Sequence, residues 1–406
     1  MPSWHVKGCI MTKKDKALLV TILTVAIIHI PQMSLTPGIA RMHTDAFPEF
    51  SLLTIQTAVT LPCLISVLSG IVAAMLIRFG ILSRRYAVII GLAFFSSAGI
   101  FTVLFHTEFW QVVVAGLLLG WGTGMIVSNI TSIMIDSFSP EITKVASGLQ
   151  GSFVSLGGII QSFFAGLLVT LVWYGGYIML LLGIPILIIC IFNLPAQKKY
   201  KSLPPGKLKD MPSDVLFFSI FASLLFVMTF AVLANNLSSH FQAIGIENYS
   251  AMAGIGISIN LVGGVVMGLF FNRFSKKFGD YLIFIAFVMM AIGYAMIASF
   301  TSSIPLMMLG CFIVGLALTL ASPQGIVSIS RYVTPANSFF ATMLSNCVMN
   351  GIAGFLVTPV YTGITQMIAG DDTVFRYNFT ASCSLGIAIL FLIFTIFRIR
   401  KGKAWK

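Results

Sequence analysis

His29, Gln32 and Thr36 lie three and four residues apart inside a strongly apolar run, a spacing that places them on one face of a helix. His29 is the one histidine set deep in such a run. An imidazole can hold or hand on a proton near neutral pH, or donate to an anionic group. Other apolar runs carry amides: Gln150 and Gln161 on either side of Gly157, Asn129, the pair Asn235 and Asn236, Asn260, and Asn346 with Asn350 four residues on. Amides both donate and accept, so this set suits a small solute bearing hydroxyl, amide or carboxylate groups. A polar group left unpaired in hydrocarbon is costly, so each of these side chains must meet a partner or a wet cavity. The spacing leaves both uses open: lining a cavity, or bonding helix to helix.

The acidic residues, by contrast, fall at the ends of apolar runs or in the gaps, and no Arg or Lys falls deep in a run. An embedded carboxylate relay for protons is therefore not expected. A strongly anionic substrate such as a phosphate ester would lack its usual counter-charge, which favours neutral, zwitterionic or weakly anionic solutes.

The elements that must hold these residues follow from hydropathy. Apolar residues make up 58% of the 406 and charged residues only 9%, too few for a water-soluble surface. A membrane-crossing helix needs about 20 mostly apolar residues. Such stretches fall near 17–37, 54–77, 86–105, 110–133, 146–169 and 173–193, then near 215–236, 251–272, 281–300, 304–325, 337–359 and 377–397. Lipid forces backbone groups to pair within the segment, so twelve α-helices are expected, not barrel strands. The first run follows Lys13, Lys14 and Lys16 but lacks a small-residue cleavage site, so it reads as a retained helix. With twelve crossings both ends share one side, and nearly all Lys and Arg fall there; Arg41 and Arg376 are the exceptions. The positive-inside rule makes that side the cytoplasm of a multi-pass cell-membrane protein. The net charge of +12 is thus a topology signal, and no basic domain or aromatic-interleaved groove suggests nucleic acid as a partner. The six cysteines show neither a disulfide framework nor metal-ligand spacing. No cofactor is expected.

The polar stretch 196–214, with Pro204, Pro205 and Gly206, divides the chain into a first six-helix bundle at 1–195 and a second at 215–406. The halves echo each other. IRFGILSRR at 77–85 stands after the second run, and NRFSKKFGD at 272–280 after the eighth. GLQGSFVSLGG at 148–158 and TMLSNCVMNGIAG at 342–354 set amides and small residues at comparable depth in the fifth and eleventh runs. Paired bundles meeting at a midplane cavity are a common transporter plan.

In this layout, and in Arg78, Gly80, Arg84 and Arg85 after the second run, the chain resembles the major facilitator superfamily. It departs from that family's signature at Ala73 and Ile77, and in the second half Gly268 and Arg273 match while Asn272 stands where an acid is usual. The resemblance implies alternating access by two rocking bundles, with the first, fourth, fifth, seventh, eighth and eleventh helices around the cavity. No Arg occurs at 112–124 and no Pro follows Gly157 and Gly158; both absences favour plain solute transport over drug–proton exchange. Arg78, Arg84, Arg85, Asp136, Arg273 and Lys276 form a candidate network for closing the cytoplasmic mouth, acting on a two-state equilibrium.

The expected function is therefore secondary active transport of a small organic solute, with no enzymatic chemistry. The partners are the solute, membrane lipid and a possible coupling ion, a proton being one candidate, for a protein expected to work as a monomer. The alternatives are a proton-coupled exporter of amphipathic compounds or, less favoured, a channel, for which no continuous polar lining or repeated filter is visible.

Overall fold

The computed structural model describes residues 11–195, 221, 223–279, 281–330 and 348–400, with the side chains at 140, 141, 144, 223, 321–330, 348–350 and 398–399 set aside. Every regular element among them is helical. Helix α1 (Lys13–Ala26) starts at a reciprocal cap: the Thr12 hydroxyl accepts from the Asp15 N–H, and the Asp15 carboxylate accepts from the Thr12 N–H. The single helix expected over 17–37 is interrupted. After Ala26 the N–H groups of Ile27, Ile28 and His29 reach back three residues instead of four, and Pro31 has no N–H with which to resume the ladder. Short helical turns restart at Gln32–Leu35 and continue through Thr36–Gly38, Ile39–Arg41 and Met42–Ala46.

There follow α2 (Leu52–Arg78), α3 (Arg84–Leu104), α4 (Phe109–Ser137), α5 (Pro140–Val169) and α6 (Gly175–Asn193). After the stretch 196–214, which lies outside the described residues, come α7 (Ser223–Ala243), α8 (Tyr249–Phe278), α9 (Tyr281–Ser299), α10 (Ile304–Ser330), α11 (Gly351–Ala369) and α12 (Thr373–Arg400). Ten of these, α2 to α9 with α11 and α12, are long and apolar enough to cross a membrane. The chain is an all-α, multi-pass membrane protein.

Short connections turn successive helices back on one another, so the connections gather at two ends. One end carries Arg78, Arg84, Arg85, Arg273, Lys276 and Lys277 and is here called the basic end. The other, the sparse end, carries Arg41 and Arg376. Gly80 and Gly279, at φ 71° and 53°, stop α2 and α8 at the basic end. A residue with a Cβ reaches such positive φ angles only at a cost, so glycine suits both positions.

The buried apolar side chains form two large clusters, one drawn from residues 18–194 and the other from 226–391. In the first, α4 packs on α2 and α3; in the second, α10 packs on α8 and α9, and α12 on α9. Where the clusters meet, α5 lies along α8, α11 against α2, and the turns after Pro31 against α7. Small residues bring the backbones close along this seam, as where Gly166 faces Gly254.

Two helices are displaced from their hydropathy windows. The seventh run was expected at 215–236, yet α7 continues to Ala243; the eleventh was expected at 337–359, yet α11 continues to Ala369. Both extensions contain polar residues that are buried: Ser238, Ser239 and His240 on α7, and Thr362 and Thr365 on α11. Hydropathy scores them as loop because it assumes a lipid neighbour, whereas their neighbours are protein.

Candidate functional site

The break after Ala26 sets out the first group of polar residues. The interruption strands backbone carbonyls that an intact helix would use. Gln161 of α5, almost fully buried, donates through Nε2 to the Ile27 carbonyl at 2.6 Å. Gly157, one turn earlier on α5, lies against the Ile27 backbone so closely that a Cβ would collide with it. Only glycine allows α5 to come near enough for Gln161 to reach. Gln161 Oε1 and His29 Nδ1 are both buried and have no hydrogen-bond partner among the described residues. Gln32, just past Pro31, donates to Cys63 Sγ of α2 at 3.1 Å. The break thus separates His29 from the helical turns carrying Gln32 and Thr36, and the one continuous face expected for these three residues is not formed.

The remaining predicted amides are placed as follows. Gln150 is buried and donates to Thr131 Oγ1 of α4 at 3.3 Å, while Asn129 turns back onto the Met125 carbonyl of its own helix at 2.8 Å. Asn260 of α8 donates to the Cys311 carbonyl of α10 at 3.0 Å, and so ties two helices of the second cluster. Asn346 lies outside the described residues, as does the side chain of Asn350.

Asn235 and Asn236 belong to a second group, a buried polar knot at the sparse end. Gln56 of α2 donates to the Asn235 carbonyl at 2.9 Å and to Asn236 Oδ1 at 3.0 Å. Thr362 of α11 donates to Gln56 Oε1 at 2.7 Å. Arg376 of α12, fully buried, donates from Nη1 to Asn236 Oδ1 and from Nε to Thr365 Oγ1, both at 3.0 Å. The sequence places Arg376 at the rim of a span; the structure encloses it. Gln56, Thr362, Thr365 and Arg376 were not singled out from the sequence. Gln56 was visible as an amide in the second apolar run, but the others fall at or beyond the edges of their hydropathy windows.

The knot is part of a wider pattern. Among the described residues, the hydrogen bonds that join 11–195 to 223–400 lie in the half of the molecule toward the sparse end. They comprise the Gln56 bonds, Thr60 with Thr358, Ser258 with Ser162 and the Ile159 carbonyl, Ser238 with the Thr36 carbonyl and the Ala40 N–H, and Gln242 with Thr44. A cavity of about 240 Å³ also opens at the sparse end, between Arg41, Asp45, Thr170, Glu247 and Ser250, away from the predicted residues.

The basic end differs. Arg84 at the start of α3 forms an ion pair with Asp136 at the end of α4, within the first cluster. Arg85 Nη2 donates to the Ile191 carbonyl of α6 at 2.7 Å. Arg78, Arg273 and Lys276 are exposed. The structure therefore joins Arg84 to Asp136 and leaves the other predicted gating residues apart.

A bundle of membrane-crossing helices with polar side chains turned into its interior, and with bonds between its two clusters gathered at one end, has the build of a membrane transporter and not of an enzyme. The family model described as Major Facilitator Superfamily matches residues 17–358, and the chain belongs to that superfamily of secondary transporters. No curated protein matches the sequence. Among solved structures it is similar to a mutant of the nucleoside transporter NupG, with 15% identity and a TM-score of 0.76 over 93% of this chain and 99% of the other. It is also similar to a D-xylose–proton symporter, with 14% identity and a TM-score of 0.75 over 93% and 97%. A third similar structure is a POT family transporter in complex with 5-aminolevulinic acid, with 13% identity and a TM-score of 0.73 over 93% and 95%. At such identities the likeness speaks for the fold alone.

Proposed function

We propose that this protein is an alternating-access carrier of a small organic solute that is neutral, zwitterionic or weakly anionic, bound beside the break in the first span. In this reading twelve spans form two six-helix bundles, 1–195 and 215–406, joined by the linker 196–214. The separation of the buried apolar side chains into clusters on either side of that linker supports the division. The basic end, with both termini, faces the cytoplasm, as the distribution of Lys and Arg supports.

The observation that carries the reading is unused hydrogen-bonding capacity at the break. His29 Nδ1 and Gln161 Oε1 are buried without partners, and a buried polar atom left in this state costs about 1–3 kcal/mol. A solute with N–H or O–H groups would satisfy both. Gln32, Gln150, Asn129, Asn260 and Asn350 are proposed as further lining, and Asn346 with them. Bonds between the halves at the sparse end, and exposed Arg78, Arg273 and Lys276 at the other, support a state closed away from the cytoplasm. Closing the cytoplasmic mouth would then bring the gating residues together around the Arg84–Asp136 pair. A solute or ion gradient drives the cycle, a proton on His29 being one candidate. The named cargoes of two structural neighbours, a nucleoside and D-xylose, are small polar organic molecules of the proposed kind.

The test is uptake and counterflow in proteoliposomes containing the folded full chain, with a panel of labelled sugars, nucleosides, amino acids and monocarboxylates. Saturable uptake with trans-stimulation by at least one class is expected. Flux no faster than through empty vesicles for every class would overturn the reading, and non-saturating flux would replace the carrier with a channel.

A further inference from the structure

Within that carrier reading, we propose that the knot around Arg376 is an anion-recognition site, and that the transported solute carries a carboxylate which Arg376 binds when the sparse end opens. The inference comes from counting donors and acceptors. Asn236 Oδ1 accepts from two donors, Gln56 Nε2 and Arg376 Nη1, both at 3.0 Å, while the single proton of the Thr362 hydroxyl goes to Gln56 Oε1 at 2.7 Å. A carbonyl oxygen has two lone pairs, so these two donors fill it and it has no room for the remaining N–H groups of the knot. Arg376 Nη2 and Asn235 Nδ2 are buried and have no hydrogen-bond partner among the described residues.

The charge is similarly unbalanced. Arg376 is completely buried, and the carboxylate facing it, Asp371, stands 3.9 Å from Nη2 with 56% of its side chain exposed. The neighbouring Asp372 turns its carboxylate to the N–H groups of Val374 and Phe375, where it caps α12. A buried guanidinium is tolerated when it is paired and its N–H groups are satisfied; here one edge of it is not. The missing element is an acceptor with negative charge and two oxygens, and a carboxylate supplies it in the geometry that a guanidinium favours.

Access follows from where the knot lies. Gln56 is the member contributed by the first half, and through it the knot spans the seam between α2 and α7. When the halves part at the sparse end, Gln56 withdraws and its contacts on Asn235 and Asn236 open to the gap. An arriving carboxylate would then take the place of Gln56 Oε1 as the acceptor for the Thr362 hydroxyl and reach the free edge of Arg376 behind it.

The experiment measures competition and binding with matched acids and amides: lactate with lactamide, benzoate with benzamide, and phenylacetate with phenylacetamide. In proteoliposomes of the full chain, the acids are expected to inhibit uptake of the transported panel solute at least tenfold more strongly than their amides. In Arg376→Gln uptake of the solute should fall, and the preference for acid over amide should disappear in the binding measurement; Arg376→Lys should keep part of both. Asn236→Asp, which places a carboxylate of the protein's own on Arg376 Nη1, should abolish the preference even if Arg376→Gln does not fold. Thermal shift of the detergent-solubilised full chain with the same acids and amides reads recognition without transport. Equal inhibition by acid and amide in the wild type, or a preference that survives in Arg376→Gln or Asn236→Asp, overturns the proposal. So does inhibition by chloride equal to that by the acids, which would mark an inorganic-anion site. Saturable uptake without any acid preference refutes this inference and leaves the carrier intact, whereas absence of uptake with acid-specific thermal shifts refutes the carrier reading instead.

Discussion

Gln161 shows how one side chain supports both structure and site. Its Nε2 holds the Ile27 carbonyl that the broken helix leaves free, and its Oε1 remains open. Replacing it with Leu keeps the volume but strands the carbonyl, at a cost of about 1–3 kcal/mol. Gln161→Leu is expected to lower the melting temperature of the purified protein by a few degrees and the initial uptake rate by about tenfold, a factor of ten corresponding to about 1.4 kcal/mol. Thermal denaturation and proteoliposome uptake measure the two; full-rate uptake would remove Gln161 from the site. The sequence made Gln161 and His29 legible because a polar residue amid twenty apolar ones demands a partner. It did not make Arg376 legible. That residue follows Asp371 and Asp372 and reads as a loop charge, and its burial depends on packing against Thr365 of the preceding helix and Asn236, 140 positions away.

At the scale of elements, the seam between α5 and α8 is the longest contact between the halves, and its chemistry is simple. Ser162 and Ser258 lie hydroxyl to hydroxyl at 2.9 Å, and Gly166 faces Gly254 one turn further toward the sparse end. This pairing is close enough for a disulfide, whose Cβ atoms sit about 4 Å apart. Ser162→Cys with Ser258→Cys is therefore expected to cross-link on mild oxidation, to hold the sparse end shut, and to stop uptake until a reductant is added. A cross-linked protein that transports at the unmodified rate would show that this seam does not part during the cycle. The existence of the helices was legible from hydropathy. The ends of α7 and α11 were not, because buried serines and threonines that bond to protein score as if they faced water. The break in α1 was half legible: Pro31 announced a disturbance, but its extent from Ile27 to Pro31 depends on Gln161 and Gly157 of α5.

At the scale of the whole molecule, the proposed state is open toward the basic end. Gly148 and Gly151 on α5 have open space where a Cβ would sit, whereas Gly166 and Gly176 toward the sparse end press on neighbouring backbone. Gly148→Cys and Gly151→Cys are expected to react with a membrane-impermeant thiol reagent applied from the basic side and to be spared from the sparse side. Cysteines placed near either terminus should label from that same basic side. Labelling of the two termini from opposite faces would dismantle the twelve-span topology and the orientation together.

The sequence by itself determined that this is a membrane protein of many helices, with a few polar residues held within it. These properties follow from local composition: about 20 apolar residues cross a bilayer whatever they pack against. The tertiary structure decided which polar residues meet. Gln56 and Thr362 are 306 positions apart and 2.7 Å distant; Arg376 and Asn236 are 140 apart and share a hydrogen bond. Such pairings depend on how whole helices lie against one another, and that is fixed by close packing over their full length, information that no local window of the chain contains.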